Sequence, residues 1–251
     1  MKCSAAGFPT LSPRSGTVSS RLMLLARLLL VGLVLAAGMT VARADGLTHS
    51  LPQDGSWVEY HSVLVAGGAE TSGTVRLQSV GQVMEGKQPA RWIELEMSPS
   101  DGNSPRVMYR MLIPEERLRD GVDPVDFVVR ALEQQGEAEP AATDSRALER
   151  GFAGAMLHGP LEKTKKLKEV RTIPCQQGNL EATGIAGSRK IDLKNLEGEL
   201  KSEIWRSGKV PFGTAVLKVE LLDSAGTSVL RLNLTVNDFG ADAEPLLPDL
   251  K

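Results

Sequence analysis

The residues able to support catalysis or metal binding are few and widely spaced along the chain. It has three histidines, His49, His61 and His158, and from Asp45 onward a single cysteine, Cys175. No two histidines have the spacing of a zinc-binding helix, and one cysteine cannot build a thiolate zinc site. The sequence contains neither the G-x-S-x-G turn of hydrolases nor the Gly-rich loop that binds nucleotide phosphates. We therefore expect a protein that is not an enzyme and that uses no metal and no cofactor.

Two acidic residues, Glu94 and Glu96, have a spacing that invites comparison with the paired carboxylates of acid–base enzymes. They alternate with apolar residues between Ile93 and Met97, as side chains do along a strand with one buried face. We interpret them as the polar outer face of a β-hairpin with arginine partners nearby, and acid–base catalysis is the less favoured alternative.

The elements around these residues are predicted to be mostly strands. Nine runs alternate in polarity or are rich in β-branched residues, and Gly, Asp, Asn or Pro bound them. These runs are residues 57–65, 71–83, 90–98, 106–113, 170–175, 180–186, 196–205, 214–222 and 229–236.

Two pairs of these runs fit each other as hairpins. With Leu95 opposite Tyr109, the apolar faces of the third and fourth runs coincide, and Glu94 lies opposite Arg110. With Leu221 opposite Leu230, the last two runs match in the same way, and Glu220 lies opposite Arg231. A register that satisfies both faces at once is strongly specified, so we predict both pairings.

Between the fourth and fifth runs the periodicity changes to that of a helix. A first helix is predicted to begin at Asp123-Pro124 and to end at Gly136, and a second runs from Thr143-Asp144 to Gly159-Pro160. The polar loop 136–143 would act as a hinge between them. The apolar stripes are Phe127, Val128, Ala131 and Leu132 in the first helix, and Leu148, Phe152, Ala155 and Met156 in the second.

The first 44 residues have the pattern of a secretory signal peptide. They contain basic residues and no acidic ones, and the apolar stretch Leu28–Ala42 precedes the small residues of Ala42-Arg43-Ala44. The stretch is shorter than the roughly 20 residues that span a bilayer, although a signal anchor is the alternative. We expect cleavage before Asp45, no transmembrane segment afterwards, and a periplasmic or extracellular location. The domains are then a signal peptide (1–44), one β-rich domain (45–240) and a loosely ordered acidic tail (241–251).

The charge of the chain argues against nucleic acid as a partner. The 251 residues have a formal charge of −2. Five of the 29 basic residues precede Asp45 and none of the 31 acidic residues does, so the rest has a charge of −7. The lysine-rich run 162–171 could contact anionic lipid, but with its two glutamates we interpret it as a solvated face.

The segment from Trp205 to Gly213 is the most motif-like part of the chain, because Val210-Pro211-Phe212-Gly213 redirects one strand into the next. This W-x-S-x-x-V-P-F-G element resembles one found in exported bacterial proteins. The pattern of residues 55–240 is similar, in architecture, to that of periplasmic lipoprotein carriers of the LolA/LolB type. The resemblance implies a curved antiparallel sheet, helices against its concave side and an apolar ligand between them. No ligand-contact residue of that family matches a position here.

We therefore predict an α+β fold, with a single curved antiparallel sheet of about nine strands and two mid-chain helices against its concave face. The predicted function is non-enzymatic binding of a lipid or other apolar ligand between sheet and helices. A filled core is the alternative interpretation of the proposed lining, and a protein-interaction or structural module of the cell envelope is the alternative function. The candidate lining residues are Leu95, Tyr109, Met111, Phe127, Leu148, Phe152 and Met156.

Overall fold

The computed structural model describes residues 45–248, apart from 103, 121–123, 151 and 194–195, so the predicted signal peptide lies outside the described residues. In this part of the chain, eleven strands form one antiparallel sheet. The strands are β1 (Trp57–Ala66), β2 (Ala69–Glu85), β3 (Gln88–Pro99), β4 (Val107–Pro114), β5 (Arg130–Gln135), β6 (Ala141–Thr143), β7 (Lys165–Cys175), β8 (Gly178–Leu193), β9 (Leu196–Arg206), β10 (Thr214–Asp223) and β11 (Ser228–Gly240).

The spatial order of the strands is β6-β5-β4-β3-β2-β1-β11-β10-β9-β8-β7. The sheet therefore consists of two meanders, one from β1 to β6 and one from β7 to β11, which join where β1 pairs with β11. The second meander curves so strongly that the turn between β7 and β8 reaches β11. There the backbone N–H of Gln176 donates to the carbonyl oxygen of Asn237 at 2.8 Å, and the Gln177 amide donates to Asp238 at 2.8 Å.

All nine predicted strands are present, and both predicted hairpin registers are confirmed. Leu95 pairs with Tyr109, which places Glu94 opposite Arg110. Leu221 pairs with Leu230, and Glu220 lies opposite Arg231. The two additional strands, β5 and β6, occupy the region where the first helix and its hinge loop were expected.

The first predicted helix is wrong. A short 3₁₀ turn, Val125–Phe127, replaces its start, and β5 replaces its second half. In β5, Ala131 faces the main core and Leu132 packs on the opposite face of the sheet, so both sides of this run are buried. A short apolar run that is buried on both sides can resemble a helical stripe, and the free edge of β4 provides it with backbone partners.

The second predicted helix is correct in its start but not in its length. Asp144 accepts a hydrogen bond from the backbone N–H of Ala147 at 2.8 Å, as an N-cap does. Two short helices follow, α2 (Ser145–Arg150) and α3 (Phe152–Met156), and another, α1 (Glu115–Asp120), lies just after β4. The helical content is therefore smaller than predicted, although Leu148 and Met156 do pack against the sheet.

One large apolar cluster fills the space between one face of the sheet, the core face, and the helices. Rows of paired residues cross this face, and one of them joins Val58, Leu77, Leu95 and Tyr109. The row beside it contains Ile93 and Met111, and every member of both rows is buried.

The outer face of β2–β5 is buried as well, beneath the C-terminal segment. Glu94 and Arg110 each have 2% of their side chain exposed, so the polar outer face predicted for this hairpin is covered here. The Glu94 carboxylate accepts hydrogen bonds from the backbone N–H groups of Leu246 (2.8 Å) and Leu247 (3.2 Å), and the Arg110 guanidinium donates to the carbonyl oxygen of Leu247. The expectation of a loosely ordered tail is therefore wrong for residues 241–248.

The Trp205–Gly213 element forms a strained and buried turn between β9 and β10. Phe212 has a φ of 64°, in the left-handed region that costs an ordinary residue roughly 1–2 kcal/mol. Its side chain is fully buried, and its carbonyl oxygen accepts hydrogen bonds from the backbone N–H groups of His49 (2.9 Å) and Ser50 (3.2 Å). These contacts hold the strained turn in place and fasten the segment that precedes β1.

Candidate functional site

An apolar groove of about 280 Å³ opens on the core face, where the β1–β2 hairpin lies beside the end of β3, the start of β4, β11 and α3. Small polar residues complete its rim, and no charged side chain lines it within the part of the chain that the structure describes. Its apolar walls are formed by Leu64, Val75, Met97, Val107, Met156 and Leu232.

The groove exists because a small residue, Ser62, occupies an inward position of β1. Tyr60 pairs with Val75, and these large side chains fill the core. One row further along, Ser62 pairs with Gly73, and paired residues share a face, so this row leaves space above the sheet. A Cβ on Gly73 would lie 2.5 Å from the carbonyl oxygen of Ser98, so the close approach of β3 requires glycine there.

Met156 connects the predicted ligand-binding residues with this groove. It is 1% exposed at the end of α3 and lines the groove. Leu95, Tyr109, Met111 and Leu148 do not line it, because they are buried deeper in the same apolar cluster.

The two predicted phenylalanines lie elsewhere or are not described. Phe127 is half-buried in the 3₁₀ turn, where the guanidinium carbon of Arg117 lies 4.2 Å from its ring centre. The side chain of Phe152 is outside the described part of the structure, although its backbone begins α3. The helical stripe that was expected to contain Phe127, Ala131 and Leu132 does not form, because Phe127 lies in the 3₁₀ turn and the other two lie in β5.

Two buried titratable side chains, Tyr109 and His158, are neutral near neutral pH. Burial and the nearby carboxylate of Glu133 both raise the pKa of Tyr109 above its usual value. Burial lowers the pKa of His158 to about 4, although its hydrogen bond to the carbonyl oxygen of Gly159, 2.9 Å from Nδ1, opposes this shift. Because no charged side chain lines the groove among the described residues, its walls favour an uncharged ligand or the uncharged part of one.

The remaining candidates for chemistry stay dispersed. His61 is exposed on β1 and His158 is buried after α3. Among the described residues, no three His, Cys, Asp or Glu side chains are grouped as they would be around a metal ion. Between residues 45 and 248, no described helix has the length and the apolar composition needed to cross a bilayer.

Sequence reasoning missed Ser62, the small inward residue that opens the groove, and Gly73, which lets β3 approach closely. The signal was available in β1, whose inward positions Val58, Tyr60, Ser62 and Leu64 include one small polar residue among large apolar ones. A small residue at an inward strand position marks either a packed neighbour or a space. Ser62 marks a space, which is the apolar groove.

Comparison with known proteins gives a likeness of fold and no family. No family model and no curated sequence matches the chain. A candidate exported protein of Bacteroides fragilis with a YmcC-like fold is similar at 8% identity and a TM-score of 0.37, covering 76% of this chain and 98% of that one. A candidate outer membrane lipoprotein-sorting protein domain from Vibrio parahaemolyticus is 11% identical with a TM-score of 0.29, covering 74% and 84%. A LolA superfamily protein from Nitrosomonas europaea is 12% identical with a TM-score of 0.23, covering 82% and 91%. The chain thus bears a weak, architecture-level resemblance to LolA-like proteins.

Proposed function

We propose that the protein is an exported, non-enzymatic binding protein that holds an apolar group in the groove between the β1–β2 hairpin and α3. The observation that carries this proposal is the opening beside Ser62, which apolar side chains surround. Apolar surface transferred from water into such a site contributes about 25 cal/mol per Å². The signal-like sequence of residues 1–44 supports export.

The size of the groove restricts what it can hold. Its volume of about 280 Å³ lies just below the roughly 300–1,000 Å³ typical of sites for small molecules. A single acyl chain, or the apolar part of a larger ligand, suits this volume better than a whole lipid. A polar or charged headgroup would remain outside, beyond the rim of serines and threonines.

A substitution at Ser62 tests the proposal without disturbing the core. Ser62→Phe should fill the groove, weaken the uptake of a fluorescent fatty acid by roughly tenfold or more, and leave the melting temperature nearly unchanged. Ser62→Ala is the matched control, since it removes only the hydroxyl oxygen and keeps the space, and it should bind like the unmodified protein. Equal uptake by the Phe and Ala variants, or no uptake by the unmodified protein, would contradict the proposal.

The alternative is a protein-interaction module of the cell envelope, and one feature of β7 favours it. This strand lies at the end of the sheet, and its Val170 is 63% exposed. An uncovered strand edge can accept a strand from a partner, although the lysines of β7 oppose unselective pairing. An extract of the purified protein separates the two functions, because the binding protein would carry lipid whereas the interaction module would carry a polypeptide.

A further inference from the structure

A second groove, larger than the first and lined by several charged side chains, lies along β8–β11 and the start of β7. Its volume is about 710 Å³. Two of its cations, Lys163 and Lys165, belong to the lysine-rich run 162–171, which the apolar site does not use. We call this site the cationic groove, after its five basic residues: Lys163, Lys165, Lys201, Lys218 and Arg231.

The cationic groove is separate from the apolar one, although both use β11. Leu232 lines the apolar groove, whereas its neighbours Arg231 and Asn233 line the cationic groove. Successive side chains of a strand point to opposite faces of the sheet. The two grooves are therefore on opposite faces, and a ligand in one leaves the other open.

The charge of the cationic groove is opposite to that of the rest of the domain. Only two carboxylates, Glu203 and Glu220, line it among the described residues, against the five basic side chains. From Asp45 onward the chain has 24 basic and 31 acidic residues, a formal charge of −7. A local excess of positive charge in an acidic domain attracts anions to this one place.

The ion pairs within the groove leave part of this charge available. Glu203 pairs with Lys218 at 3.0 Å and with Arg171 at 3.5 Å. Partial burial alone would raise the pKa of Glu203, but hydrogen bonds from Trp205 and Lys218 outweigh it and hold the pKa below its usual value. Within the described part of the chain, Lys163, Lys165 and Arg231 make no ion pair with a carboxylate within 4.0 Å.

Uncharged hydrogen-bonding groups lie between the cations. The hydroxyls of Thr164 and Ser188 and the side-chain amide of Asn233 line the same space. Ammonium, guanidinium, hydroxyl and amide donors together match the several acceptor oxygens of a phosphate group. We propose that the cationic groove binds a phosphate-bearing anion, either the headgroup of a phospholipid at a membrane surface or a free phosphate monoester.

The lysine-rich run offers a matched pair of variants for the test. Lys163→Gln/Lys165→Gln removes two charges from the groove, whereas Lys166→Gln/Lys168→Gln removes two exposed charges of the same run that do not line it. Two probes are used at low ionic strength, because salt screens such contacts. Glycerol 3-phosphate is titrated by calorimetry, and vesicles of phosphatidylcholine with and without phosphatidylglycerol are tested by co-sedimentation.

The groove variant should bind at least about tenfold more weakly than the unmodified protein, and the control variant should bind like it. Binding to phosphatidylglycerol vesicles alone identifies a lipid headgroup as the ligand, and binding to glycerol 3-phosphate identifies a free phosphate monoester. Equal weakening of both variants would show that binding follows net charge, which would overturn the proposal, as would the binding of neither probe by the unmodified protein. Circular dichroism checks that both variants fold, as expected for substitutions of exposed lysines.

Discussion

At the scale of single residues, His158 is a titratable group whose pKa is strongly shifted by its surroundings. Its side chain is buried, and burial is the main reason that its pKa falls from 6.5 to about 4. The hydrogen bond to Gly159 and the charge of Asp45 oppose this shift, while the charges of Arg189 and Arg206 add to it. The folded protein therefore keeps His158 neutral down to about pH 4.

This lowered pKa predicts a loss of stability in mild acid. The unfolded chain binds a proton at His158 near pH 6.5, whereas the folded chain does so only near pH 4, so folding is favoured at higher pH. The free energy of unfolding should be highest above pH 6.5 and should fall by up to roughly 1.4 kcal/mol per pH unit as the pH decreases towards 4. Urea unfolding at a series of pH values measures the slope.

The control for this prediction is His158→Asn. Its side-chain amide can still donate to the carbonyl oxygen of Gly159, but it does not titrate. The slope between pH 6.5 and 4 should become shallower in this variant, and an unchanged slope would assign the acid sensitivity to the carboxylates instead.

At the scale of elements, the strands were predictable and the helical region was not. Alternation along β3 and β4 fixes which residues face each other, so one correct pair, Leu95 with Tyr109, determines the rest of the hairpin. In β5, Ala131 and Leu132 are buried on opposite faces, and two adjacent apolar residues fit a helical stripe and a doubly buried strand equally well. The sequence does not show that β4 has an unpaired edge beside this run, because that edge exists only once the sheet has formed.

The register of β10 and β11 predicts different effects for two neighbouring substitutions. Leu232→Asp should destabilise the protein severely, because it places an unpaired carboxylate at a position that is 4% exposed. Arg231→Ala changes an exposed residue and should alter the free energy of unfolding by no more than about 0.5 kcal/mol. Thermal unfolding followed by circular dichroism compares the two, and equal melting temperatures would contradict the assigned faces.

At the scale of the whole molecule, the segment after β11 completes a second, smaller core on the outer face. Leu247 is 2% exposed and packs with Met108 and Leu132, and its backbone binds Glu94 and Arg110. The sequence could not show this, because the acidic and Pro-containing composition of residues 241–251 is typical of a solvated tail. Here a segment of this composition is held mostly by hydrogen bonds that its backbone makes to the sheet.

Two adjacent leucines test this role of the segment. Leu247→Ala should lower the free energy of unfolding by about 2–5 kcal/mol, because it empties a buried position. Leu246→Ala is the matched control, since this side chain is 37% exposed and both variants keep the backbone N–H groups that bind Glu94. Urea unfolding should therefore show a much smaller loss for Leu246→Ala, and equal losses would mean that the outer face gains little from Leu247.

The pairing of β1 with β11 also sets an order of assembly. Tyr60 pairs with Val236, so one edge of β1 stays unpaired until β11, far along the chain, reaches it and the two meanders join. Hairpins within each meander can form locally during that time, but the closing step joins residues far apart in sequence, which slows folding. Until then the free edge of β1 is exposed to other chains, so the folding polypeptide is most open to aggregation before the two meanders join.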